Sequence, residues 1–530
     1  MDAVNPLSSQ ALFDQVSLSI RFILPELTLV GSACVLFLLG AFRSGRRLTG
    51  MIALGAVGAA AAVALLVKEP TFLAQDRFVA AIDPTGAADF VRWLALGAGA
   101  LYVLLGFSES SRQTAPEYHG CLLVVLGGLA LVGRANDLLT LFLALEMISI
   151  PTYVLIYLPS KSQAGQEAAL KYFLLSILSS AVLLFGFSYL YGLTGALNLP
   201  LIAETLSRAS QAGPAALVAV VFVLAGLGFR IAVVPFHFYA PDVYEGAPGG
   251  VVAQLAFVPK VAGLVALANI FGLLTPDAPF DATRTLIPLT LWVIAAVTMT
   301  FGNLLALVQD NLKRLFAYSG IAHAGYMLIG FLVAMAAPDA AGHGTQSGFD
   351  SVLVYLVAYG LMTVGVFAVL GYLTHPGRTI ESIDDLAGLG RSNPIAAGLM
   401  GLFFLSLIGI PLTAGFNGKL LLFFGALEAP TTTPLRNLYR VLTLIAAVNS
   451  AIAAVYYLKA LGVMFLRTPL QPAVPARGYA ALLAALVCAV GTLAIGVYPR
   501  PLVEAARRAA PIPPPPTAPV PALLTAGLAR

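Results

Sequence analysis

Glu146 lies near the middle of Leu138–Pro151, a string apolar enough to sit in lipid. A carboxylate in hydrocarbon is costly, so it is rare and normally faces a polar interior or a charge partner. Three more apolar strings carry Arg230, Lys260 and Lys419. One buried acid with several buried bases has the chemistry of a proton relay. Burial and a neighbouring cation pull a carboxyl's proton affinity in opposite directions, and balancing them makes a carboxyl a carrier. A desolvated lysine exchanges its proton, whereas a guanidinium does not. Arg230 therefore reads as a fixed charge partner for Glu146, Lys260 as a carrier at mid-depth, and Lys419 as a carrier beside a helix break. Ser319, His323, Tyr326 and Gly330 follow at spacings of four, three and four. That places them on one helical face, where a water chain can form and a histidine can titrate near neutrality. Lys171, four residues after Glu167, is expected to pair with it along a helix and to support the relay. Glu26, beside Pro25, is placed at the membrane edge without a role.

These groups need a scaffold, and composition defines it. The chain has 530 residues, 59% hydrophobic and 10% charged, with mean hydropathy +0.90. A soluble chain carries about 25% charge. The apolar runs are long and do not alternate, so the chain is an all-α polytopic membrane protein rather than a barrel. About fourteen spans of roughly 20 residues are expected, at 20–41, 51–67, 89–108, 119–134, 138–158, 168–192, 214–236, 249–273, 286–308, 314–335, 351–373, 394–427, 438–466 and 478–498. The span 394–427 is too long for one straight helix and contains Pro411, Gly415 and Gly418, so it reads as broken. A net charge of +4 without a basic stripe excludes nucleic-acid binding. Cys34, Cys121 and Cys488 stand singly in apolar runs, so neither a zinc nor an iron–sulfur site is expected. No basic stretch precedes the first apolar run, so no cleaved signal peptide is expected.

Arg43, Arg46 and Arg47 in the first loop, and then Arg112, Lys161, Lys171, Lys313, Arg314, Arg378, Arg391, Arg467 and Arg477 in alternate loops, put those loops in the cytoplasm. Both termini then lie on the opposite side. Two segments, Gly228–His237 and Ile408–Lys419, are interrupted by proline and glycine. Each falls in the fourth span of a five-span block, and five is odd, so the second block is inverted relative to the first. Inverted repeats with broken helices in matching places point to ion handling near the midplane. The expected organisation is helices one to three over 1–118, a first five-helix repeat over 119–273, an inverted repeat over 286–466, a last helix at 478–498 and a Pro-rich tail over 499–530. The tail's Pro511–Pro516 run cannot be helical.

Several strings carry a resemblance. These are Leu145-Glu146-Met147, Glu167–Phe173, Val234-Pro235-Phe236-His237, Ala240-Pro241-Asp242-Val243-Tyr244-Glu245-Gly246-Ala247-Pro248 and Ala317–Tyr326. They resemble the antiporter-like membrane subunits of respiratory complex I, over most of the chain. The loop from Pro241 to Pro248 is the most specific signal. The string ending in Lys419 is similar to the branch with lysine there rather than glutamate, and the chain stops without a long lateral helix. The resemblance implies a non-redox membrane-arm subunit that translocates protons while quinone is reduced elsewhere. It implies FMN, iron–sulfur clusters and quinone in partner subunits, neighbouring antiporter-like and small subunits as partners, and a bacterial plasma (inner) membrane. It implies relay roles for Glu146, Lys260 and Lys419, with His237 supporting. The family usually has lysine at the position of Arg230.

Two other readings compete. A multi-component sodium/proton antiporter shares this architecture and would act without quinone or NADH. In a non-pumping scaffold the buried charges would serve assembly alone.

Overall fold

A computed structural model of the chain describes residues 20–42, 45–67, 82, 86–111, 113–158, 162–208, 214–271, 281–336, 348–374, 379–429, 435–468, 473–475 and 479–510. The expected Pro511–Pro516 tail and the loop bases Arg43, Arg112, Lys161, Arg378 and Arg477 lie outside the described residues. The first helices are α1 (Leu24–Gly40), α2 (Arg46–Leu66), α3 (Gly86–Glu109), α4 (Ala115–Arg134), α5 (Leu138–Tyr157), α6 (Gln163–Thr194) and α7 (Leu199–Arg208). They are followed by α8 (Pro214–Ile231), α9 (Ala240–Gly246), α10 (Gly249–Phe271), α11 (Asp281–Leu307), α12 (Leu312–Ala336) and α13 (Gly348–Tyr372). A strand β1 (Leu373–Thr374), a 3-10 turn (Ile383–Leu386) and α14 (Leu389–Ser392) lead to α15 (Pro394–Ile408), α16 (Ala414–Leu427) and α17 (Arg436–Leu466). The described chain ends with β2 (Val474–Pro475), antiparallel to β1, then α18 (Ala480–Val497) and α19 (Arg500–Ala509). Eleven of these helices are long and apolar enough to cross a membrane, and four shorter apolar helices, in α1, α8, α15 and α16, accompany them. The expected all-helical, polytopic membrane class is borne out.

Local sequence sets several helix ends. Asp137 accepts from the Thr140 N–H at 2.7 Å to start α5, and Ser162 accepts from the Gly165 N–H to start α6. Both are N-cap bonds that satisfy an orphan donor. Gly195, at φ 66°, ends α6 in the left-handed region that favours glycine.

Burial identifies the centre. In α10 and α12, 94% of the apolar span is buried inside the protein, and in α13 89%, against 33% in α2 and α18. The three inner helices touch one another and carry Lys260, His323 and two tyrosines, Tyr355 and Tyr359. The outer helices present leucine, valine and phenylalanine outward, as a lipid-facing surface requires.

Both interrupted segments break. The first stops at Ile231, where Ala232 takes φ 60°, and helix resumes as α9. The second stops at Ile408, where Gly409 takes φ 97° and Leu412 φ 69°, and resumes at Ala414. A non-glycine residue at positive φ costs of order 1–3 kcal/mol, so packing must hold each break in place. The Val234 N–H donates to Thr298 Oγ1, and the Gly415 N–H donates to Ser406 Oγ, so side chains replace lost helical bonds there.

Two expectations need correction. The segment expected as a loop from Pro241 to Pro248 is largely the helix α9. Pro241 sits in its first turn, where proline is tolerated, so the helix is compatible with the sequence. Residues 500–509, assigned to the tail, form α19, which packs on α3 and α13. Its arginines and glutamate hid a short amphipathic helix whose Ala506 and Ala509 are buried.

Candidate functional site

Glu146 sits in α5 and Arg230 in the last turn of α8, one residue before the break. Arg230 Nη2 donates to Glu146 Oε1 at 2.7 Å, and Nη1 donates to Ser149 Oγ and the Leu145 carbonyl at 2.5 and 3.1 Å. Ser180 of α6 donates to Glu146 at 2.5 Å and accepts from Arg230 at 3.1 Å. The Glu146 side chain is 20% exposed and that of Arg230 6%. The expected pairing is therefore present, and two serines and a carbonyl enclose it. A cation in the last turn of α8 also complements that helix's dipole.

Lys260 is buried in α10, immediately after Pro259. Proline cannot donate to the Leu255 carbonyl, so the backbone one turn earlier lacks its usual donor. Among the described residues no hydrogen bond joins Arg230 to Lys260. The helix that carries Lys260 closes on Arg230 instead, since a Cβ at Gly263 would lie 3.4 Å from Arg230 Cβ. On its other side the Lys260 ammonium lies 5.9 Å from the centre of the Tyr359 ring and beside Gly320 of α12.

His323 continues the line. Its ring lies 5.1 Å from that of Tyr359, and Nδ1 is 2.6 Å from the Tyr355 hydroxyl. Tyr326 is 5.7 Å away, ring to ring, and its hydroxyl accepts from Asn303 at 3.0 Å. Lys419 Nζ lies 5.2 Å from the centre of the Tyr326 ring. It donates to the carbonyls of Leu407 and Ile408, both at 2.9 Å. Those carbonyls are at the end of α15, where a helix leaves its last acceptors unfilled. Ser319 Oγ is 2.5 Å from the Tyr457 hydroxyl of α17.

The five ionisable side chains thus form two sets, the Glu146–Arg230 pair and the buried line Lys260, His323 and Lys419 with tyrosines between its members. Gly330 belongs to the packing of α12 on α13 and α16 rather than to this line. His237 lies in the first break, half-buried, with Nδ1 unpartnered among the described residues. Lys171 pairs with Glu167 at 2.7 Å as expected, and also with Asp242 of α9 at 2.7 Å. Arg314 of α12 binds the other Asp242 oxygen at 2.8 Å and Glu245 at 2.8 Å. Asp242, outside the apolar spans, feels partial burial pushing its carboxyl up. The Lys171 and Arg314 hydrogen bonds and charges outweigh that and hold it below its ordinary value of 3.8.

Sequence reading missed Ser149, Ser180, Asn303, Tyr355, Tyr359 and Tyr457. Each is common in apolar helices, and only tertiary packing selects it. Glu26, placed near the membrane edge without a role, is buried and bound by Arg92 Nε at 2.8 Å and Nη2 at 3.0 Å.

Comparison with known proteins identifies the family. A family described as "NADH:quinone oxidoreductase/Mrp antiporter, TM" matches residues 135–465. The chain belongs to that family of antiporter-like membrane proteins. NADH-quinone oxidoreductase subunit N of Anaeromyxobacter sp. (strain Fw109-5) is 38% identical over 506 residues, 91% of this chain and 94% of that one. Subunit N of Geobacillus kaustophilus (strain HTA426) is 37% identical over 497 residues, 90% and 94% of the two chains. Among solved structures, a chain of respiratory complex I from Thermus thermophilus is 32% identical, with TM-score 0.73, over 91% of this chain and 99% of that one. A chain of the Mrp complex from Dietzia sp. DQ12-45-1b matches with TM-score 0.72 over 93% and 96% of the two chains, at 20% identity, and shares the fold alone. The resemblance drawn from the motifs is borne out, and the relatives reported are named subunit N.

Proposed function

We propose that this chain is a proton-translocating, non-redox subunit in the membrane arm of an NADH–quinone oxidoreductase. The observation that carries the reading is the placement of the buried Lys260, His323 and Lys419 beside one another through tyrosines, with the Glu146–Arg230 pair where α10 packs on α8. Buried ionisable groups in membrane helices mark ion pathways by default, because their cost is tolerated where they work. In this reading Lys260 receives a proton from one aqueous face, and His323 with its tyrosines passes it to Lys419. Lys419 releases it beside the broken backbone of α15 and α16. Arg230 acts as a fixed counter-charge that pairs with Glu146. The blocks 119–273 and 286–466 act as inverted repeats, each with its own broken helix, and both termini face the non-cytoplasmic side of the bacterial plasma membrane. FMN, iron–sulfur clusters and quinone belong to partner subunits, and neighbouring antiporter-like and small subunits flank the chain.

The test uses the intact complex in sealed vesicles, with NADH as donor and a quinone as acceptor. Lys260→Met should lower the protons moved per quinone reduced while the complex still co-purifies with its flavin and iron–sulfur subunits. Normal translocation in that assembled variant would leave the chain a scaffold. Sodium-dependent exchange without NADH or quinone would assign it to an antiporter instead.

A further inference from the structure

Glu109 belongs to none of the groups above. It ends α3 at the face of the protein that also carries Arg46, Lys171, Lys313 and Arg314, and it meets the first turn of α10, the helix of Lys260. The Gly250 N–H donates to Glu109 Oε1 at 2.5 Å. Oε2 is buried and has no hydrogen-bond partner among the described residues. The approach depends on glycine, since a Cβ at Gly250 would lie 2.6 Å from Oε2. A carboxyl held by one oxygen, with the other free, can gain and lose a proton without dismantling its anchor.

Polar groups lead inward from it. Tyr102 is seven residues earlier in α3, on the same helical face, and its hydroxyl lies 3.5 Å from the Ala253 carbonyl of α10. Gln254, one turn into α10, is buried and donates to Thr152 Oγ1 at 3.0 Å. Lys260 lies ten residues beyond Gly250, about 15 Å along the helix axis.

The geometry points to Glu109 as the carboxyl that takes up protons at the basic face and delivers them along α10 to Lys260. The inference rests on the proton-translocating reading above. In the step, the carboxylate takes a proton from water to become a carboxylic acid. It then gives that proton, through Tyr102, Gln254 and water, to neutral Lys260, which becomes an ammonium as the carboxylate returns. The charge environment suits this exchange. Lys313 of α12 faces the carboxyl, with Tyr118 and His119 from α4 and Arg46 from α2 nearby. Burial pushes the carboxyl from 4.5 to about 7, against the lowering pull of the Gly250 N–H and the Lys313 charge. It is therefore loaded below about 7 and empty above.

The test compares Glu109→Gln, Glu109→Asp and Lys260→Met in the intact complex in vesicles, with assembly checked by co-purification. The expected result is that Glu109→Gln loses as large a fraction of translocation as Lys260→Met, and Glu109→Asp recovers most of it. In the unaltered complex translocation should fall as pH rises through about 7, and Glu109→Gln should lack that fall. An infrared carboxyl band that titrates in the same range should be absent from Glu109→Gln. If Lys260→Met loses translocation while Glu109→Gln keeps both its yield and its pH dependence, the inference is overturned and the functional reading stands. If neither variant loses translocation, the reading falls and the inference with it.

Discussion

Lys419 closes the end of a helix to which it does not belong. Its Nζ lies 2.9 Å from the carbonyl oxygen of Ile408, the last residue of α15, and equally far from that of Leu407, although Lys419 itself is in α16. The break between the two half-helices creates those free carbonyls, and the ammonium fills them. In the proposed relay, a proton that leaves Lys419 would change how firmly the two halves are joined and so link proton transfer to the geometry of the break.

This linkage separates two substitutions. Lys419→Met leaves two buried carbonyls without a donor, at about 1–3 kcal/mol each, and removes the carrier. It should destabilise the subunit and abolish its share of translocation. Lys419→Arg keeps a cation and several donors but cannot release a proton. It should restore most of the thermal stability and none of the pumping. Full pumping by an assembled Lys419→Arg variant would mean that this position never deprotonates.

Arg230 supports the opposite expectation. Its guanidinium serves Glu146, Ser149, Ser180 and the Leu145 carbonyl together, which is the work of a fixed cation. Arg230→Lys should keep pumping, because an ammonium keeps the charge opposite Glu146. Arg230→Met should leave a largely buried carboxylate unpaired, at about 3–5 kcal/mol, read as a lower melting temperature of the complex. A collapse of pumping in Arg230→Lys, with assembly intact, would count against a purely electrostatic role.

Charge in apolar sequence is conspicuous, and this made the site legible early. Glu146, Lys260 and Lys419 stand out because nothing near them in the chain is charged, and the breaks stand out through Pro235 and Pro411. The links between them were not legible. Tyr355 and Tyr359 are two of 19 tyrosines in the chain, and only the packing of α13 against α10 and α12 brings them to Lys260 and His323. Asp242 shows the same limit, since its motif was recognised but its position between Lys171 and Arg314 depends on three helices meeting. The helix α9 itself was hidden because seven residues are too few to show a 3.6-residue period.

The pair Glu26–Arg92 tests whether burial of charge alone implies transport. Both groups are buried, and Arg92 also donates to the Phe22 carbonyl. They tie α1 to α3, and neither forms an ion pair with Glu146, Arg230, Lys260 or Lys419 among the described residues. Glu26→Ala leaves Arg92 with Asp89 as its remaining ion-pair partner among the described residues and should therefore lower the melting temperature of the complex while the assembled complex pumps with its normal yield. A loss of translocation at unchanged stability would place this pair on a proton path and weaken the distinction between the two clusters.

Asp242 anchors α9 to α6 and α12, and its titration gives a signed prediction. Its carboxyl is held below the ordinary 3.8 by Lys171 and Arg314 in the folded state. A depressed value means the contribution is complete above 3.8 and is lost only as pH falls through the lower folded value. The deficit in melting temperature of Asp242→Asn relative to the unaltered complex should therefore stay constant between about pH 8 and 6, where the unfolded carboxyl is also ionised. Because Lys171 and Arg314 reach α9 from different helices, the same variant should loosen α9 from both, seen as faster amide exchange at Val243 and Ala247. A deficit that already shrinks between those pH values would show that the carboxyl is not held low. Unchanged exchange at both amides would show that the ion pairs do not anchor the helix.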